Sequence, residues 1–348
     1  MSLNMLRFMF KVFQSNFFEL KYPYRLNFIL TYRCNQRCIM CNIWRKKINK
    51  ELTTEEIDKF FSKNNYFSWV DVSGGEIFLR KDIFDIAKII ISKCPHLYLL
   101  HFPTNGFMTD KIVLVTEDIL SHFKQKLIVT ISLDGPPQLH DEIRGVKGSW
   151  QRSIDTYKEL RKIKGADLEV YFGMTFTEAN IHAFSDTYQS AKVEISDLRY
   201  DDMHFNFIHN SDHYYGYNDA HIVGEEKYLK ALEEIISTRA KSLYPVHLLE
   251  NDYLKLLRKY LRTGRTPLVC EALSSSCFIA PNGDTYVCSI WNKKIGNLRD
   301  TDFDLGKIIH SQDTKKARSQ IKEGGCSHCW TPCEAYTAIM AHKLPFSK

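Results

Sequence analysis

Three cysteines, Cys34, Cys38 and Cys41, fall within one eight-residue stretch, with gaps of three and two residues between them. Three thiolates on one short loop can hold three irons of a cubane [4Fe–4S] cluster, leaving the fourth iron open to another ligand. A structural zinc site asks for four ligands, commonly as two cysteine pairs. No fourth cysteine or histidine lies close to this triplet, so it fits zinc poorly. A non-catalytic Fe–S or zinc protein, binding a partner or sensing redox state, is the alternative class.

Other chemistry-bearing residues follow apolar runs. Ser73-Gly74-Gly75-Glu76 carries two glycines that let a backbone approach a ligand closely, although alone it describes a turn. Thr104-Asn105-Gly106 reads as a turn with Asn105 in the left-handed region. Ser132-Leu133-Asp134-Gly135 precedes His140-Asp141-Glu142-Ile143-Arg144-Gly145. A guanidinium such as that of Arg144 grips a carboxylate with paired hydrogen bonds, or forms a surface ion pair. Thr175 begins a run to Asn180, which could equally cap a helix. Tyr200, Asp201, His204 and His209 are candidate acids or bases expected on the substrate side, and each could be structural.

The triplet, with Gly74-Gly75 about thirty residues beyond it, resembles the signature of the radical SAM superfamily. The resemblance implies a [4Fe–4S] cluster on Cys34, Cys38 and Cys41, with S-adenosylmethionine (SAM) chelating the open iron. One electron from the cluster then gives a 5′-deoxyadenosyl radical, which takes hydrogen from an unactivated C–H bond. It also implies cofactor contacts from Met40, Gly74, Gly75, Glu76, Asn105, Ser132, Asp134, Arg144 and Thr175. Met40 stands where relatives carry an aromatic residue by the adenine. Ser132 and Arg144 would hold the SAM carboxylate, and Asp134 would shape the turn or touch the ribose.

The tail holds Cys270, Cys277, Cys288, Cys326, Cys329 and Cys333. Pro281 to Cys288 reads as a hairpin turn flanked by strands, and Cys326/Cys329 is a two-residue-gap pair. This arrangement resembles the SPASM and twitch extensions of radical SAM enzymes, which hold auxiliary [4Fe–4S] clusters. Cys270, Cys288, Cys326 and Cys329 match the one-cluster form, while Cys277 and Cys333 match a different SPASM set. Two four-cysteine clusters exceed what six cysteines supply, so one auxiliary cluster is expected. Two clusters with unusual ligands, and a zinc knuckle, stay open. A cysteine left unligated, such as Cys277 or Cys333, could donate a hydrogen atom. Cys94 reads as core.

These residues must be positioned by something. Strand-like runs at 25–30, 69–73, 97–102, 127–133, 168–177 and 202–208 alternate with helical patterns at 53–61, 82–94, 110–123 and 150–163. Six βα units predict an α/β fold, a partial (βα)6 TIM-like barrel with a small C-terminal cysteine-rich auxiliary-cluster domain. In such sheets chemistry sits at the carboxyl ends of strands, where each motif above falls. The expected division is an N-terminal apolar helix (1–24), the barrel (25–215), a helical linker (216–264) with helices at 225–237 and 252–261, and the Fe–S domain (265–340).

At 348 residues, 44% hydrophobic and 25% charged, the composition is that of a soluble globular protein. The net charge of +6 permits an anionic substrate, and no Lys/Arg block reads as a nucleic-acid arm. Without a cleavable secretory signal, the ten cysteines suit a reducing cytoplasm better than a disulfide framework. Leu3, Leu6, Met9, Phe10, Phe13, Phe17 and Leu20 recur at near-helical spacing, too few and too interrupted by Arg7 and Lys11 to span a bilayer. They suit a helix packed on the main domain, or one making weak membrane-surface contact. About 24 residues precede the first strand-like run, so no fused leader-binding domain is expected there. The expected partners are a small-molecule or peptide substrate, with a lipid third, and an electron donor such as flavodoxin or ferredoxin.

Overall fold

Six runs rich in β-branched, aliphatic and aromatic residues form parallel strands in the computed structural model, which describes residues 2–47, 50–164 and 167–343. They are β1 (Arg25–Thr31), β2 (Trp69–Gly74), β3 (Leu99–Thr104), β4 (Lys126–Ser132), β5 (Leu168–Phe176) and β6 (Met203–Phe207). Right-handed crossovers are expected between parallel strands. The connections between the six strands run here through α2 (Thr54–Lys63), α3 (Ile83–Lys93), α4 (Thr109–His122), α5 (Pro137–Arg144) with α6 (Ser149–Lys162), and α7 (Phe184–Glu194). The α2 entry follows its residue types. Thr53 accepts the Glu56 amide at 3.2 Å, and Glu56 accepts the Thr53 amide at 3.0 Å, a reciprocal cap.

Strand order is β6-β5-β4-β3-β2-β1, followed by three strands of the tail. The first and sixth strands do not pair, so the barrel is partial. Instead β7 (Ser276–Ile279) lies parallel to β1, and β8 (Asp284–Tyr286) and β9 (Lys294–Asn297) extend the sheet antiparallel. Period-two alternation divides the strands. On β1, Leu26, Phe28 and Leu30 enter the apolar layer under the helices, while Arg25, Asn27 and Ile29 face the barrel interior.

Between β6 and β7 run α8 (Glu226–Thr238) and α9 (Pro245–Thr263). The chain then finishes in α10 (Leu305–Ile309), α11 (Gln312–Lys322) and α12 (Pro332–Ala341). The N-terminal stretch is α1 (Leu3–Ser15), capped by Ser2, which accepts the Met5 amide at 3.2 Å. It crosses the base of the barrel, where the strands begin. Asn4 donates to Pro95 O and Leu97 O, Lys11 donates to Tyr66 O, and Phe8 stacks on Tyr98 at 5.5 Å. No described helix is long and apolar enough to cross a membrane.

Candidate active site at the strand ends

The cysteine loop begins where β1 ends, and three neighbours hold it. The Gly75 and Glu76 amides donate to Thr31 O (2.8 Å) and Arg33 O (2.9 Å). The Arg37 and Ile39 amides donate to Arg144 O and Ile143 O at the end of α5, both at 2.9 Å. The Asn42 amide donates to Tyr215 O at 2.8 Å. The glycines are needed for closeness: a Cβ on Gly74 would lie 2.3 Å from Thr31 O, and one on Gly75 would lie 2.3 Å from Arg33 O.

Cys34, Cys38 and Cys41 lie within electrostatic reach of one another. Burial pushes the Cys34 thiol up to about 11 and Cys41 up to about 12, and it raises Cys38 as well, against the opposing pull of Arg144. Iron ligands are thiolates. Three half-buried sulfurs with one guanidinium nearby therefore favour a soft cation that can displace the protons.

Arg144 lies between the sulfurs and Asp134. Its Nη1 is 3.7 Å from Cys38 Sγ, and its Nη2 pairs with Asp134 Oδ2. Its buried Nε has no hydrogen-bond acceptor, an unspent donor of the kind that grips a carboxylate such as that of SAM. Asp134 Oδ1 accepts the Thr175 amide at 2.8 Å. Ser132 Oγ donates to Thr104 O at 3.3 Å. Glu76 turns inward: its carboxylate accepts from the Phe78 and Asn105 amides and from Thr104 Oγ1. Burial raises it to about 6. Asn105 donates to Asn35 Oδ1 at 2.6 Å and lies 4.0 Å from Cys34 Sγ. Met40 is buried in the core beside the loop.

In the tail, Cys270, Cys288 and Cys329 lie within electrostatic reach of one another, and Cys326 and Cys333 lie within reach of Cys329. Burial raises Cys270 and Cys288, and pushes Cys329 to about 12 and Cys333 to about 11. Cys288 Sγ accepts the Trp291 amide at 3.2 Å, the kind of N–H to sulfur bond that stabilises a cluster thiolate. None of the ten cysteines is in a disulfide. Among the described residues no three His, Cys, Asp or Glu side chains gather tightly enough to hold a single metal ion.

One cavity of about 940 Å³ fills the barrel interior. It touches Ser73, Ser132 and Thr175 at the strand ends, and Ser289, Pro332 and Cys333 of the tail.

Comparison with known proteins agrees with this layout. Residues 28–191 match the Radical SAM superfamily model, and residues 270–330 match the SPASM model, an iron-sulfur cluster-binding domain. Residues 28–191 are a radical SAM domain, and residues 270–330 are a SPASM domain. The antilisterial bacteriocin subtilosin biosynthesis protein AlbA of Bacillus subtilis (strain 168) is 26% identical over 84% of this chain and 59% of its own length. An AdoMet-dependent heme synthase of Methanosarcina barkeri (strain Fusaro / DSM 804) is 30% identical over 47% of this chain and 45% of its own. The chain thus spans about half of the length of these relatives. The crystal structure of Streptococcus suis SuiB bound to S-adenosylmethionine shares the fold, with a TM-score of 0.59 at 15% identity, over 89% of this chain and 70% of that one. The radical SAM domain binds SAM and a [4Fe–4S] cluster, and the SPASM domain binds auxiliary Fe–S clusters.

The radical SAM barrel places the remaining candidates unevenly. His204 lines the cavity, stacked on Tyr171 at 4.0 Å, with its buried Nε2 unpartnered. Tyr200 and Asp201 precede β6 and therefore sit at the opposite end from the cysteine triplet, not on the expected substrate side. There Tyr200 stacks on Tyr188 at 3.7 Å, and Asp201 pairs with Arg239. His209 is committed at both nitrogens. Nδ1 donates to Phe207 O at 2.6 Å, and Nε2 accepts the Trp330 amide at 3.1 Å. Cys277 turns away from the cavity: its Sγ is 3.7 Å from Arg25 O, and its neighbour Phe278 takes the cavity face. Sequence reasoning missed Asp71 and His101, which face the cavity from mid-strand. Asp71 Oδ1 meets His101 Nδ1 at 2.8 Å, and Asp71 Oδ2 pairs with Arg25 at 2.7 Å. A polar residue at an inward position of an apolar strand was the available signal.

Proposed function

We propose that this chain is a radical SAM enzyme that abstracts a hydrogen atom from a peptide or a small natural product and completes the modification with help from its SPASM domain. The carrying observation is the single cavity that touches the SAM-side residues Ser132 and Thr175 on one wall and Cys333 on another. With a [4Fe–4S] cluster and SAM held at Cys34, Cys38 and Cys41, one-electron reduction by a donor such as flavodoxin or ferredoxin would supply the radical chemistry that takes a substrate hydrogen.

The protein's own part is positioning. Cys34, Cys38 and Cys41 hold the cluster, Gly74 and Gly75 keep the β2 turn against that loop, and the Arg144 Nε faces the SAM carboxylate. Cys270, Cys288, Cys326 and Cys329 hold one auxiliary cluster. Cys333 is then left unligated at the cavity wall as a hydrogen-atom donor. The apolar wall excludes water from the substrate radical. A peptide substrate is supported by the likeness to AlbA, named for bacteriocin biosynthesis. A small molecule is supported by the likeness to a heme synthase.

The test is anaerobic reconstitution followed by dithionite and SAM. The enzyme should form 5′-deoxyadenosine and hold about eight irons. Combined Cys34→Ala, Cys38→Ala and Cys41→Ala substitution should remove about four of them and all nucleoside formation. Iron or zinc without 5′-deoxyadenosine would leave the chain a non-catalytic metal protein.

A further inference from the structure

The barrel base, opposite the catalytic cysteines, carries an apolar surface that the radical reaction does not use. Helix α1 presents three stripes. Met5, Phe8 and Val12 face inward and line the cavity floor. Asn4, Arg7 and Lys11 form a polar edge that contacts the barrel's lower loops through Pro95, His96 and Tyr66. The third stripe is Leu3, Leu6 and Phe10, three and four residues apart on α1, with Phe17 two residues beyond the helix end, and none of these lines the cavity. They are exposed by 61%, 44%, 58% and 38%. The same base holds Leu243, exposed by 91%, in the segment leading into α9. Its neighbour Tyr244 contacts Lys126 at the start of β4, next to Gln125, which bonds the Ser2 cap of α1.

We infer that this base docks on an anionic lipid bilayer, with α1 lying in the interface. The face consists of leucines and phenylalanines, which offer a partner no hydrogen bond, whereas protein interfaces carry a polar rim and direct hydrogen bonds. Residues 1–18 carry Arg7 and Lys11 and no acidic residue, Lys21 is exposed beyond them, and the intervening carboxylate, Glu19, pairs with Arg318 and Lys322. Cations beside an apolar helical face are the signature of interfacial helices, and they favour anionic headgroups. The inner stripe fixes the helix axis along the base, so the outer stripe can meet a flat surface without unfolding. Because α1 also forms the cavity floor, docking would set that end of the cavity against the membrane.

The test uses the reconstituted full chain in flotation with phosphatidylcholine vesicles, with or without 30% phosphatidylglycerol (about one lipid in three), while size-exclusion light scattering follows the free protein. The expected result is flotation with the anionic vesicles, falling at least tenfold in Leu6→Glu and Phe10→Glu at unchanged iron content and unchanged circular dichroism. Raising salt should weaken it too. No flotation of the wild-type chain would overturn the inference, as would flotation indifferent to both substitutions or to phosphatidylglycerol. A dimer that these substitutions dissolve, without flotation, would reassign the face to a second copy. Since no SAM cleavage is read, failure here leaves the enzymatic proposal untouched.

Discussion

Arg144 shows how one side chain can carry several duties. It pairs with Asp134, neighbours Cys38 and keeps its Nε free in a buried position. Removing one partner of a buried ion pair strands the other charge, at a cost of roughly 3–5 kcal/mol. Arg144→Gln should therefore lower stability by about that much in chemical denaturation, beyond any loss of SAM binding. Adding Asp134→Asn should recover part of the loss, because the stranded carboxylate is gone. Full recovery of SAM binding in the double variant would argue against a carboxylate-gripping role. The triplet and glycine pair were legible at this scale because ligand type and backbone clearance are local. The pairing of Arg144 with Asp134 was not legible, since the two meet only when α5 folds back beside the end of β4.

The tail hairpin illustrates the scale of elements. Its turn was readable from Pro281-Asn282-Gly283-Asp284, and strands β7 and β8 flank it. Its attachment was not readable: β7 pairs parallel with β1 and so sets the facing of every residue on it. That register turns Phe278 into the cavity and Cys277 out of it. Accordingly, Cys277→Ala should keep the full iron complement, whereas Cys329→Ala should lose about four of roughly eight irons. Iron and sulfide analysis of the two variants decides it. Loss of iron in Cys277→Ala alone would reverse the assignment. Likewise α5 and α7 escaped the periodicity reading, α5 because its 8 residues span little more than two turns and α7 because its faces are mixed.

At the scale of the molecule, the barrel and the cysteine-rich tail share polar ties. Arg25 donates to Pro332 O (3.1 Å) and Cys333 O (2.7 Å) while pairing with Asp71. His209 links the end of β6 to the Trp330 amide. Burial holds that histidine down at about 4, and its Nε2 can accept the bond only when neutral. The unfolded chain binds more protons than the folded one between about pH 4 and 6.5, so stability must fall as pH drops through that window. The loss should approach about 1.4 kcal/mol per pH unit. His209→Gln should lower this slope by up to about that amount in denaturation curves measured from pH 4 to 7, the rest staying with His140, His204 and His213, which burial also holds down; an unchanged slope would take His209 out of the acid lability.

The sequence by itself determined which atoms can bind iron, where backbones must pass closely, and the alternation of strands and helices. These depend on residue type and on spacing within a few turns of chain. Only the tertiary structure decided that Tyr200 and Asp201 stand at the far end of the barrel, that His209 is committed to holding the tail, that Asp71 and His101 face the cavity, and that half of α1 is left uncovered. Those outcomes depend on strand register and on which distant elements pack together, and neither is encoded in local periodicity.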